Sequence, residues 1–441
     1  MNKISIRSKW LAAAIVLLAI MAVSFGLLWL AHKMEEESKD RFESTTPILV
    51  PSPDGGLVEE AALVIPTTEQ VDTAGAPTYG PEVPPLPPVS ISAQNSQGLR
   101  RVGFNPPIGD IFRLDYDPIT DTLLMAVVEA NGDGSIWRLS NDETIERVLR
   151  GGEQTNEIFL GSDGHGTVYA GFAGPGILYR SADRGLTWQQ VATGIDGTFW
   201  GLTDDGNGTL WGSLHAYNSA LLYRSTDDGF TWQVWHDFQR MFPEYAITYR
   251  EGDGRFMLRH LHDVAYVNGQ LFVGVGDVAR FTVKSDDGGL TWRKIWSEGF
   301  TAHVQVPGEG LLLGPDRLQS HGLARYDFNT NQTEEVWSPL PFGWSGFTYS
   351  LMQFDGVYYA AFHNEANEVD SFSGRSGVVV SHDGFSWYPF MEIDPLTNWA
   401  RTDIFLAPRR DWTGWITLNG ALYIFESPIG RWFDVHRVFG Q

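Results

Sequence analysis

One eight-residue box constrains this chain more than any other feature. It reads "SADRGLTW" from Ser181, "STDDGFTW" from Ser225 and "SDDGGLTW" from Ser285, with a shortened copy, "SHDGFSW", from Ser381. Each box sits in the same frame: an apolar strand, a turn, a second strand, a loop, a third strand ending in the Ser, the Asp/Gly turn, and a fourth strand opening with Trp. The stretch "NEIFLGSDGHGTVYAGFAGPGILYRSADRGLTWQQVA" from Asn156 lines up with "HDVAYVNGQLFVGVGDVARFTVKSDDGGLTWRKIW" from His262. Degenerate copies then appear as "SIWRLSNDETIERVL" from Ser135, "GLARYDFNTNQTEEVW" from Gly322 and "ALYIFESPIGRWFDV" from Ala421. Turn markers at Ser140, Ser181, Ser225, Ser285, Asp327, Ser381 and Ser427 are 41, 44, 60, 42, 54 and 46 residues apart.

Seven units of that length, each worth four strands, predict an all-β fold, a seven-bladed β-propeller over residues 98–441. A single blade exposes both sheet faces, so neighbouring blades must cover its aromatic residues and the seven must fold together. Closure is expected between the C-terminal end and the first blade, using the segment around Val102 to Phe104. Within each box, Asp183, Asp227, Asp287 and Asp383 are placed to accept hydrogen bonds from turn N–H groups. The Gly that comes next permits positive φ, and Trp188, Trp232, Trp292 and Trp387 open the outer strand and pack on the blade. One carboxylate per box does not supply the converging oxygens of a Ca²⁺ site, so Ser181, Ser225, Ser285, Ser381 and their partners read as structural.

These boxes resemble the Asp-box, or bacterial neuraminidase repeat, of sialidases, other glycoside hydrolases, sortilin-type receptors and photosystem II assembly-factor propellers. The resemblance covers nearly all of the chain after residue 98. It implies a propeller with the boxes between third and fourth strands, and no particular activity, since enzymes and non-enzymes share the boxes. The sialidase pattern implies three arginines holding a carboxylate. Arg113 in "FRLD" falls where the first would stand, but Leu-Asp replaces the Ile-Pro of that signature. Arginines 250, 255, 259, 280, 325, 375 and 401 sit in no recognisable signature, and seven repeats differ from the six blades typical of sialidases.

Upstream, the chain changes character twice. Trp10 to Ala31 holds 22 consecutive uncharged, mainly apolar residues, enough for one membrane-spanning helix. Lys3, Arg7 and Lys9 precede it and Glu35 to Glu37 come after, which predicts a signal anchor at 10–31 with residues 1–9 cytoplasmic and the bulk outside the cell membrane. The run ends without a small-x-small cleavage pattern. Ten of the 23 prolines fall between Ser44 and Gly98, so residues 32–97 read as an extended stalk. The formal charge of −23 opposes binding to nucleic acid, and the absence of cysteine removes disulfides, thiol catalysis and thiolate metal sites.

Function is expected on the face opposite the boxes, at the loops between second and third strands and the entries to the first strands. Those positions carry Glu129, His215 with Tyr217, Asp277, Asp316 with His321, His363 with Glu365, then His260, His262, Asp263 and His303, with Trp200 and Trp344 close by. Six of the 11 histidines belong to this set, a density of orienting polar groups beside aromatic surfaces that suits a ligand pocket. The sharpest candidate is Arg259 to Asp277: His260 and His262, two apart on a strand, point to one face, and Asp277 ends the adjacent strand. Such a group reads as a His–carboxylate acid/base pair, two thirds of a metal site, or hydrogen-bonded closure of a blade. No metal or cofactor motif is present.

The chain thus admits three readings. The favoured one is a membrane-anchored, extracytoplasmic propeller binding a ligand, a glycan above all, through His215, His260, His262, Asp277, His303, His321 and His363. The second is a glycoside hydrolase using two carboxylates among Glu129, Asp277, Asp316 and Glu365, with Arg113. The third is a protein-interaction scaffold working through the longer insertions at Thr248 to His260 and Asn364 to Gly377.

Overall fold

A computed structural model of the protein describes residues 48–49, 90–96, 99–105, 107–141, 144–155, 157–249, 254–316, 322–342, 344, 346–363, 376–393, 405–408, 413–418 and 420–426. The chain separates into units Met1–Ile48 and Leu49–Gln441, and the second holds every blade. No helix among the described residues is long and apolar enough to cross a membrane. The expected span at Trp10 to Ala31 lies outside the described residues.

The fold is a seven-bladed propeller of antiparallel sheets. Blade one runs Asp110–Asp117, Thr122–Val128, Gly134–Leu139 and Ile145–Gly152; blade two runs Ile158–Ser162, Val168–Phe172, Ile177–Ser181 and Gln189–Thr193. Blade three comprises Thr198–Asp204, Leu210–His215, Leu221–Ser225 and Gln233–Asp237; blade four comprises Leu258–Val267, Gln270–Asp277, Phe281–Ser285 and Thr291–Trp296. Phe300–Val306, Gly310–Pro315, Leu323–Asp327 and Gln332–Trp337 form blade five, and Phe347–Phe354, Val357–His363, Ser376–Ser381 and Tyr388–Ile393 form blade six. The first strands of blades one to six contact one another in succession, and the first strand of blade seven contacts that of blade one. The long step between Ser225 and Ser285 is taken up by a short helix Phe238–Met241, a 3₁₀ turn Pro243–Tyr245 and a bridge between Thr248 and Phe256.

The seventh blade closes the ring. Its own strands are Leu406–Pro408, Thr413–Leu418 and Ala421–Glu426, and the fourth place is taken by Leu99–Asn105 from the other end of the chain, with Leu99 opposite Phe425 and Arg101 opposite Tyr423. The expected closing segment is therefore the one used, while the fourth strand expected after Ser427 lies outside the described residues. Ser90–Ser96, within the stretch expected as stalk, pairs in full with Leu99–Asn105 and adds an outer strand to this sheet. The proline density upstream conceals this pairing in the sequence.

The boxes are joinery. Ser181 Oγ donates to Asp183 Oδ1 at 2.7 Å and accepts from the Gly185 N–H at 2.8 Å, while the Thr187 N–H and hydroxyl reach the two Asp183 oxygens at 2.8 and 2.5 Å. Ser225/Asp227/Thr231 and Ser285/Asp287/Thr291 repeat this arrangement, and Ser381/Asp383 keeps it with the Phe385 and Ser386 N–H groups. The turn then needs a left-handed residue, supplied by Gly185, Gly229 and Gly289 at φ 84°, 77° and 93°. Each Trp indole N–H closes back on that glycine carbonyl, or on Gly384 in the fourth box, at 2.9 to 3.1 Å. The rings do more than cover their own blade. Trp188 packs with Leu124, Ala126 and Ile136 of blade one, Trp232 with Phe159 and Tyr169 of blade two, and Trp387 with Leu312 and Leu323 of blade five.

At the opposite end, the first strands are irregular. Their pairing with the second strand shifts register between Ile111 and Arg113, Phe199 and Gly201, Phe300 and Ala302, and Phe347 and Ser350, and twice in blade four, between Leu258 and Leu261 and between Leu261 and Val264. A bulge adds a residue to one strand and re-aims its side chains. Here the shifts surround Arg113, Trp200, Thr301, Tyr349, His260 and His262, the residues that build the site.

Candidate functional site

Trp200 lies across the axis at the end away from the boxes. Its indole N–H donates to Thr301 O of blade five at 2.9 Å, and its ring stands 4.7 Å from Tyr349 of blade six, 5.7 Å from His262 of blade four and 5.0 Å from His215. From blade one, Arg113 donates to the Trp200 carbonyl at 2.9 Å and holds its guanidinium carbon 4.4 Å from the ring centre. Burial pulls Arg113 down to about 10, against the opposing charges of Glu157 and Asp263. It stays a cation at neutral pH, stacked on an aromatic face.

Beside this plug is a buried polar cluster contributed by four blades. His215 ends the second strand of blade three, and its Nδ1 lies 2.8 Å from Glu157 Oε2 at the entry to blade two. His260 and His262, on the first strand of blade four, bring their Nε2 atoms to 3.1 Å of each other, with their rings 3.9 and 5.6 Å from that of His215. His260 Nδ1 meets the Ala216 carbonyl at 2.8 Å. Asp277 ends the adjacent strand in the left-handed region, at φ 69°. Its carboxylate stands 3.3 Å from His260 Nε2 and 3.8 Å from His262 Nε2, and is paired with Arg259. The Asp277 N–H donates to Asp316 Oδ2 of blade five at 2.9 Å, and the same oxygen faces His262 Nδ1 at 3.2 Å and Arg280 at 3.8 Å. Gly276 makes room: a Cβ there would collide with the His262 ring.

The electrostatics follow from burial and charge. Burial pushes His260 down to about 4 despite the pull of Asp277, so it is a neutral imidazole at pH 7. Burial works against charge on Asp277 and Asp316, yet the surrounding histidines with Arg259 and Arg280 hold both carboxyls below their usual range, Asp277 well below it. Glu157 behaves likewise beside His215 and Arg113. One ligating atom from each of His215, His260 and His262 lies within 4.8 Å of the others, and the same is true of His262, Asp277 and Asp316.

The expected residues divide accordingly. His215, His260, His262, Asp277 and Asp316 come together as a cluster. Asp263 and His303 form a second pair at its edge, with His303 Nδ1 2.5 Å from Asp263 Oδ2. His363 is buried against Tyr349, their rings 4.0 Å apart, and joins the aromatic line through Tyr349 to Trp200. Glu129 turns away to bind Arg147 of its own blade at 3.0 Å, so it does not join the cluster. Trp344 is not at the mouth: it sits in the apolar core with Trp337, Phe342 and Phe362, over Gly377, because the Leu340–Phe342 turn carries it inward. His321 and Glu365, with arginines 250, 375 and 401, lie outside the described residues. The sialidase-like arginines do not open on a shared space: Arg259 pairs with Asp277, Arg280 approaches Asp316, and Arg325 pairs with Asp327 and Glu334.

Sequence reading missed Glu157 and Tyr349. Glu157 stands one residue before the first strand of blade two, the entry position that singled out the histidines of blade four. Tyr349 had no such signal, because its place depends on the bulge in blade six. Tyr217, named beside His215, is 62% exposed on the loop that runs past the cluster. Asn218 on that loop holds the blade-four insertion, its amide donating to Gly254 O at 2.7 Å and its carbonyl accepting from the Phe256 N–H at 3.0 Å.

No protein-family model matches this chain, and no curated protein sequence does. Solved structures do resemble it. A streptogramin B lyase aligns at 12% identity and TM-score 0.51 over 77% of this chain and 98% of that one. The WD40 repeats of RRP9 align at 9% identity and TM-score 0.50 over 77% and 100%. YCF48 bound to D1 peptide aligns at 15% identity and TM-score 0.46 over 77% and 100%. At these identities the likeness reaches the propeller fold and stops there.

Proposed function

We propose that the chain is a membrane-anchored, extracytoplasmic propeller of the Asp-box kind that binds a glycan at the mouth opposite its boxes. The four Ser-x-Asp turns and their shared hydrogen-bond pattern support the Asp-box kinship, and the 22-residue apolar run with its flanking charges supports the anchor. The observation that carries the binding site is Tyr217. An exposed aromatic ring stands on the loop that leaves His215 and carries Asn218, two residues beyond the histidine that enters the charged cluster. Sugars are held by that combination, apolar ring faces for stacking next to fixed polar groups.

Binding is favoured over hydrolysis by the state of the carboxyls. A glycosidase acid must hold its proton near neutrality. Asp277 and Asp316 are both held below their usual range, which suits positioning and not proton donation. The test is retention of a panel of cell-surface polysaccharides on the full chain, with mass spectrometry of bound and released sugar. Tyr217→Ala should lose most of the retention with the melting temperature unchanged. Retention of no polysaccharide would overturn the reading, and released sugar would replace it with hydrolysis.

A further inference from the structure

Ring nitrogens of three histidines converge in the buried cluster. The Ala216 carbonyl can only accept, so His260 Nδ1 carries the proton and His260 Nε2 presents a lone pair. That lone pair faces Asp277 Oδ2, another acceptor, at 3.3 Å, and His262 Nε2 at 3.1 Å. His262 Nδ1 faces Asp316 Oδ2 at 3.2 Å, which turns His262 Nε2 toward His260. One ring nitrogen from each of His215, His260 and His262 lies within 4.8 Å of the others inside the fold, while Arg259 and Arg280 face the neighbouring carboxylates.

We propose that His215, His260 and His262 form a binding site for one divalent first-row transition ion of zinc-like coordination preference, with the Asp277 carboxylate at its edge. The outer nitrogens are already committed in the manner such ligands require. His215 Nδ1 is set against Glu157, His260 Nδ1 against the Ala216 carbonyl and His262 Nδ1 against Asp316, which leaves all three Nε2 atoms for the ion. Metal-bound imidazoles characteristically give their second N–H to a carboxylate or a backbone carbonyl. The spacing fits as well. Bonds of about 2.0–2.1 Å in a tetrahedron place neighbouring ligand atoms ~3.3 Å apart, against 3.1 Å between the Nε2 atoms of His260 and His262, with a His215 nitrogen within 4.8 Å of both residues. Three imidazoles select borderline ions such as Zn²⁺, Co²⁺ or Fe²⁺ over Mg²⁺ or Ca²⁺. Arg259 holds one Asp277 oxygen, Oδ2, and orients Oδ1 toward His262. The lack of any metal motif in the sequence reflects where the ligands come from: two blades contribute them and four blades position them.

This inference does not rest on the glycan reading, because its readout is the ion. The untagged full chain, stripped with a chelator, is titrated with Co²⁺ and with Zn²⁺ by calorimetry and visible absorption. One equivalent of Co²⁺ should bind with the intense visible bands of a tetrahedral site and be displaced by Zn²⁺, and the melting temperature should rise with either ion. His260→Gln and His262→Gln should each abolish the bands. Glu157→Gln, which removes no ligand, should weaken binding about 10–100-fold. Asp287→Asn, in a box turn, should bind as the unaltered chain does. A folded, stripped chain that takes up neither ion, or a His260→Gln variant that binds like the unaltered chain, would overturn the proposal.

Discussion

At the scale of single residues, one side-chain type does opposite work at the two ends of the propeller. In the box turns an Asp is tied down by neighbours in its own sequence. Burial works slightly against charge on Asp287, but the Thr291 hydroxyl and N–H and the Ser285 hydroxyl hold its carboxyl below the ordinary value. Asp183, Asp227 and Asp383 are depressed in the same way. A carboxyl depressed by folding adds stability above its unfolded pKa and loses it as pH falls through the folded one. The chain should therefore lose stability below about pH 4, and Asp287→Asn should flatten that part of a melting-temperature profile while leaving the rest in place. The box Trp residues act by volume. Trp232→Ala would open a cavity between blades two and three and cost about 3–5 kcal/mol, read as a fall in the urea midpoint. At the other end Asp277 meets histidines, arginines and a second Asp, none of which its local sequence reveals as partners.

At the scale of elements, the third-to-fourth strand turn is regular and the first-strand entry is not. Turn markers at Ser181, Ser225, Ser285, Asp327 and Ser381 end the third strand of their blades and Ser140 directly follows it, and in the four boxes Ser, Asp, Gly and Trp satisfy the turn within a few residues. The bulges at the entries left no comparable trace, because their register is set by pairing with a strand downstream and by the next blade. The pattern of alternating faces still placed His260 and His262 on one side, and the double irregularity around them brings their rings together. Gly276, on the paired strand, is the element-level support. Gly276→Ala would displace the His262 imidazole and should weaken Co²⁺ binding at least about tenfold while removing no ligand; an unchanged titration would show that this packing does not matter.

At the scale of the molecule, the ring is closed by hydrogen bonds between chain segments more than 300 residues apart, Leu99–Asn105 and Ala421–Glu426. Val102 is buried there with Ile108, Met125, Trp137 and Leu422, so one closing strand serves both the seventh and the first blade. Val102→Asp should cost more than ~3 kcal/mol and lower the urea midpoint of the whole propeller, because a blade without its neighbour exposes its apolar face. If only a minor early transition moved, the closing strand would be an accessory and not a clasp.

What the sequence determined by itself was whatever repeats and whatever is local. Boxes whose hydrogen bonds close within eight residues declared the blade frame and the structural role of each Ser, Asp and Trp, and degenerate copies in the same frame gave the number of blades. Alternation along strands and the position of loops relative to the boxes pointed to the end of the propeller where His215, His260 and His262 meet. Tertiary structure alone decided which of those residues meet. Trp200 reaches the axis only through a bulge, Glu129 and Trp344 turn away from the mouth, and Glu157 joins His215 across a blade boundary. Those contacts depend on blade packing and strand register, which are set by side chains distant along the chain and leave no local pattern to read.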